Sequence, residues 1–125
     1  MKVLLITGKG EGHNLFPVKE VLEDAGHEVE INLLLSTGER DLRQRNFYVV
    51  LVAKEPSTGS GMDAATFERT LSALDTMHAR KPQVKIGVIS KRFTTEQAAI
   101  LAQRGFQALL IDELKTIVKF VATVP

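Results

Sequence analysis

The sequence predicts an α/β fold: three layers, doubly wound, around a five-stranded parallel sheet. Three observations predict it. Short runs rich in Val, Ile and Leu alternate along the chain with stretches of helical period. Such short apolar runs suit strands buried on both faces of a parallel sheet. The chain has 125 residues, enough for one domain with a real core and too few for two. A single domain over 1–125 is expected.

The elements follow in order. The first apolar run is 3–6. Residues 15–25 carry Val18, Val21 and Leu22 on one stripe, and Gly26 is a natural stop. Pro17 fits only a first helical turn, so the cap falls at or near Asn14. The second run is 29–35. Residues 36–45 are mostly polar, with Leu42 their only large apolar residue; Ser36 and Glu39 offer the cap of a short helix. The third run is 47–53. Asp63 begins a clear helix, with Phe67, Leu71 and Leu74 spaced by four and three. The fourth run is 86–89. Thr94-Thr95-Glu96-Gln97 reads as a capping box for a helix that runs to about Arg104 and ends at Gly105. The fifth run is 108–111. Asp112 is the expected cap of the last helix, whose stripe is Leu114, Ile117, Val118 and Val121. Phe120 lies off that stripe, which leaves a contact surface and a packed position both open. Strand–helix alternation of this kind gives right-handed crossovers, and five strands point to the flavodoxin-like order 2-1-3-4-5.

Composition narrows the function classes. Apolar residues make up 44% and charged residues 25%, both ordinary for a soluble globule. A net charge of +1 does not point to nucleic acid. Arg40, Arg43 and Arg45 alternate with Glu39 and Asp41, the pattern of a solvated face. The absence of cysteine excludes disulfides and zinc–thiolate sites. The N-terminal apolar run is too short for a signal peptide or a membrane span, so a cytoplasmic location is expected. One tyrosine and no tryptophan leave few rings for stacking a base or a flavin.

In an open α/β sheet, ligands bind outside the carboxyl ends of the strands. After the first run comes TGKGEGH, 7–13, and Lys9, Lys54, Lys91 and Arg92 gather at this end, partly offset by Glu11, Glu55 and Asp112. Glycines let a backbone approach an anion, so Gly8, Lys9, Gly10, Gly12, Lys54 and Lys91 make a candidate anion site. No Gly-Lys-Ser/Thr ending makes this a P-loop, and the glycine spacing does not fit GxGxxG. A tight strand–helix turn explains the glycines equally. Glu11 to Phe16 partly resembles a cobalamin-binding D-x-H-x-x-G motif, with Glu for the acid and Phe16 for the closing glycine. Gly12, His13, Phe16 and Pro17 resemble a loop of nucleotide-sugar glycosyltransferases, which need a second domain. His13 has no serine or acid placed to make it a base.

Nearly the whole chain resembles a response-regulator receiver domain. KVLLITG, 2–8, stands where receivers have a strand ending in an acidic pair. AGHEVEI, 25–31, resembles the second strand. FYVVLVAKEPSTGSGMD, 47–63, resembles the phospho-acceptor strand and its loop. KIGVISKRFTTEQAAILAQRGFQALLI, 85–111, resembles the strand ending in Thr or Ser, the next helix and the fifth strand. The departures are specific. Thr7 and Gly8 replace the metal-binding acids. Ala53, or Lys54 with a one-residue slip, replaces the phospho-acceptor aspartate. Asp112 lies near the position of the lysine, and Ser90 alone keeps the hydroxyl. Magnesium prefers carboxylate oxygens. The resemblance therefore implies a degenerate receiver: a non-enzymatic regulatory domain without metal or cofactor, acting by protein–protein contact in signalling or transcriptional control. It further implies a contact face on the fourth helix, fifth strand and fifth helix, with Ala98, Leu101, Ala102, Leu109, Lys115, Lys119 and Phe120, that meets a partner or a second copy. No membrane role is expected, nor nucleic-acid binding by this domain alone. The alternative is a small anion- or nucleotide-binding domain using the glycine loop.

Overall fold

The computed structural model describes residues 2–7, 16–32, 47–53 and 64–122. Five strands form one parallel sheet: β1 (Lys2–Thr7), β2 (Glu28–Asn32), β3 (Val49–Ala53), β4 (Lys85–Ser90) and β5 (Gln107–Leu110). Their spatial order is β2-β1-β3-β4-β5, the order expected from the sequence. Four helices are described: α1 (Phe16–Asp24), α2 (Ala64–Arg80), α3 (Thr95–Gln103) and α4 (Leu114–Ala122). The last two are the fourth and fifth helices of the sequence count. The short helix expected over 36–45 lies outside the described residues.

Strand alternation sorts the core into two layers. Leu4, Ile6, Val50, Val52, Ile86 and Val88 face α2 and α3, where Phe67, Leu71, Leu74, Met77 and Leu101 meet them. Val3, Leu5, Val49, Leu51 and Ile89 face α1 and α4, where Val18, Leu22, Ile117 and Val121 meet them. Every residue of β3 is buried, as a central strand between two helical layers requires. Phe47 precedes β3 and is buried too, whereas Tyr48 between them is exposed.

The helix ends set where the loops begin. α1 and α3 both close on a glycine in the left-handed region: Gly26 at φ +93° and Gly105 at φ +84°. Each end has paired backbone bonds, His27 N to Leu22 O at 3.1 Å with Gly26 N to Glu23 O at 3.0 Å, and Phe106 N to Leu101 O at 2.8 Å with Gly105 N to Ala102 O at 3.1 Å. This is the Schellman closure that glycine permits. α3 starts on the expected capping box: Gln97 N donates to Thr94 Oγ1 at 3.0 Å, and Thr94 N donates to Gln97 Oε1 at 3.1 Å. The cap of α4 differs from expectation. A turn bonds Glu113 N to Leu110 O at 3.0 Å, so the Glu113 carbonyl, rather than that of Asp112, accepts the first helical bond from Ile117 N at 3.2 Å. No helix among the described residues is long and apolar enough to cross a membrane.

His27 follows the α1 closure, and its Nδ1 is enclosed without a hydrogen-bond partner among the described residues. Burial holds its imidazole below the ordinary value of 6.5. The unfolded chain therefore takes up this proton first. The neutral ring's contribution to stability is expected in full above pH 6.5 and is lost as pH falls through the lowered folded-state value. Urea unfolding of His27→Gln should show a flatter pH dependence across that window than the parent. Equal slopes would assign the dependence to other groups.

Candidate functional site

The carboxyl ends of β1, β3 and β4 bring three of the expected residues to one crest. Thr7 ends β1 and stands in register with Ala53 at the end of β3. Ser90 ends β4 and pairs with Leu110 on β5. All three are buried: Thr7 at 0%, Ala53 at 5% and Ser90 at 1% exposure. The Ser90 hydroxyl donates to the Arg92 carbonyl oxygen at 2.9 Å, so it closes the turn after its own strand. Asp112 is exposed on the turn after β5, and Lys91 is exposed after β4. Gly8, Lys9, Gly10, Gly12 and Lys54 lie outside the described residues, so the anion site is represented here by Lys91 alone.

The chemistry of this crest follows from its donors. Where β1 and β3 meet, it presents a hydroxyl and a methyl group. Ala53 has no oxygen to accept a phosphoryl group. Thr7 and Ala53 offer no carboxylate to magnesium, so these residues do not fit that ion. Among the described residues, no three His, Asp or Glu side chains gather into a group that could hold a metal.

The expected contact face is corrected at three positions. Leu101 and Leu109 are 0% and 1% exposed and belong to the two core layers. Phe120 is only 8% exposed. Its ring lies against Gly87 of β4, where an added Cβ would come within 3.0 Å of Phe120 Cε2, 2.9 Å of Leu109 Cδ1 and 3.1 Å of Leu51 Cδ2. Lys85 covers the ring, its Nζ 4.4 Å from the centroid, and donates to the Phe120 carbonyl oxygen at 3.1 Å. Phe120 is thus a core residue, because a glycine two residues along β4 leaves room for it. Ala98 is half-buried, while Ala102, Lys115 and Lys119 remain exposed. Strand alternation turns Leu110, which the sequence reading passed over, outward at 36% exposure.

A second feature was not foreseen. A groove of about 880 Å³ runs between α2 and α3. Phe67 and Leu71 lie along it with the half-buried Ile100, and Glu68, Asp75, Glu96 and Arg104 are its ionisable lining. Arg104 pairs with Asp75 across the groove, joining the last turn of one wall to the other. Its lining residues lie some 30 positions apart in the chain, so no local spacing announces it. The only linear hint is Ile100, an apolar residue beside the Leu101 core position.

No known protein-family pattern matches the chain. No curated protein sequence matches it either. Solved structures do. A CheY-like response-regulator receiver domain protein from Methanospirillum hungatei superposes with a TM-score of 0.71 at 20% identity, over 98% of this chain and 91% of that one. An atypical orphan response regulator, described as having a phosphorylation-independent regulatory mechanism, gives 0.70 at 21% identity over 99% and 92%. Lysine decarboxylase A from Pseudomonas aeruginosa gives 0.74 at 14% identity, over 99% of this chain but 18% of that one. The fold is that of a receiver domain, and the same architecture also occurs as a portion of a larger enzyme.

Proposed function

We propose that this receiver-fold chain is a regulatory module that works through protein–protein contact and without aspartyl phosphorylation, in signalling or transcriptional control. The observation that carries the reading is the Thr7–Ala53 pair in register at the crest of β1 and β3. Phosphoryl transfer in this fold relies on carboxylates at such positions, both to hold a divalent cation and to accept the group. A buried methyl does neither. The module carries no catalysis of its own in this reading. Support also comes from the atypical orphan regulator of the same fold, whose described mechanism is independent of phosphorylation. Its exposed face would include Ala102, Leu110, Lys115 and Lys119.

Incubation with magnesium and acetyl phosphate is the direct test. Intact mass and sedimentation coefficient should both stay unchanged. A phosphoryl adduct on an aspartate, or a change of assembly state on adding the donor, overturns the reading.

A further inference from the structure

We propose that Lys85 is a charge-dependent latch on the last turn of α4, a turn that opens and closes locally while the sheet stays folded. Three observations carry this. The first is the latch itself. Lys85 begins β4. Its Nζ lies 4.4 Å from the centroid of the Phe120 ring and donates to the Phe120 carbonyl oxygen at 3.1 Å. One ammonium therefore holds the last turn at two points, and both contacts need its charge. The second is where it acts. Phe120 lies two residues before the end of α4, in the last turn, whose carbonyls find no amide donor within the helix. A positive charge there also meets the negative end of the helix dipole. A helix of nine residues is too short to hold itself together, and its ends open first.

The third is what the turn covers. Phe120 and Val121 are buried, while Lys119 and Ala122 beside them are exposed. The Phe120 ring fills the space that Gly87 leaves between Leu51 and Leu109. Opening the last turn uncovers this ring and the space above Gly87, and it leaves the β3–β4 ladder in place. The α4 surface thus has a closed form and an open one. The aromatic residue that lies off the helical stripe is hidden only in the closed form, and the charge on Lys85 sets the balance between the two.

Amide hydrogen exchange of the full chain, followed by NMR at several low urea concentrations, tests this. In the parent, the Val121 and Ala122 amides should exchange faster than those of β3 and with little dependence on urea, the mark of a local opening. Lys85→Met keeps an apolar stem and removes the charge. It should speed exchange at Val121 and Ala122 by about tenfold. Arg104 and Gly105, at the far end of α3, should not change, because their opening leaves the latch intact. Lys85→Arg keeps the charge and should stay near the parent. Urea unfolding of each variant separates a faster local opening from a loss of the whole fold. Exchange at Val121 and Ala122 with the full urea dependence of β3 overturns the local opening. An equal rise at Arg104 and Gly105 overturns its confinement to α4. Unchanged exchange in Lys85→Met, or Lys85→Arg as fast as Lys85→Met, overturns the role of the charge.

Discussion

Replacing Phe120 by alanine is expected to lower the free energy of unfolding by about 3–5 kcal/mol. That is a large share of the roughly 5–15 kcal/mol that holds a domain of this kind together. The ring is 8% exposed and fills the space above Gly87 among Leu109 and Leu51. Its removal leaves a cavity that the rigid central strands β3 and β4 cannot close. Gly87→Ala should be destabilising for the opposite reason, by about 1–3 kcal/mol, because its methyl arrives at 2.9–3.1 Å from three side chains. The two substitutions share one volume. The double variant should therefore lose less than the sum of the two, as the new methyl occupies part of the vacated space. Urea unfolding of the four proteins gives the coupling. Strict additivity would show that Phe120 and Gly87 do not compete for the same space.

Ala53→Asp tests the crest from the other side. In the proposed reading, the substitution supplies an aspartate at the expected phospho-acceptor position. It also places a carboxyl group at a position 5% exposed and packed in the α1–α4 core layer. A buried carboxylate without partners costs on the order of several kcal/mol, and protonation is its escape. Burial raises its folded-state pKa above the unfolded value of about 3.9. The folded variant then holds its proton longer than the unfolded chain. The variant should approach the parent in stability at low pH and fall away from it as pH rises toward neutrality. Denaturant titrations between about pH 4 and 7 check the sign. A variant as stable as the parent at neutral pH, and phosphorylated by acetyl phosphate with magnesium, would show that one aspartate suffices to rebuild the site.

Much of this molecule was legible in its sequence, for reasons that are local. Apolar runs marked β1, β3 and β4, whose residues are almost all buried, whereas the edge strand β2 alternates glutamate with apolar residues and is partly exposed. The glycines at 26 and 105 marked two helix ends, since only a residue without a side chain enters the left-handed region there at no steric cost. Thr94 and Gln97 announced the start of α3 three residues apart. The juxtaposition of Thr7 and Ala53 needed only the placing of two strand ends side by side. α4 begins one residue beyond the cap expected at Asp112, because the turn from Leu110 to Glu113 occupies Asp112 before the helical bonds begin.

The remaining decisions belong to tertiary structure. A helical stripe is read from spacings of three and four, and by that measure Phe120 falls off the buried side of α4. It is buried because Gly87, 33 positions earlier, has no side chain to exclude it, and because Lys85 crosses over its ring. Leu101 and Leu109 were candidates for a contact face until the sheet and helices closed over them. The acidic groove exists only because α2 and α3 settle side by side on one face of the sheet. The sequence by itself determined the fold class, the strand order and the glycine-closed ends of α1 and α3, since each depends on neighbours within a few residues or on strand order. Which surfaces remain open for a partner was decided only in three dimensions, because exposure depends on what packs across the sheet and between helices.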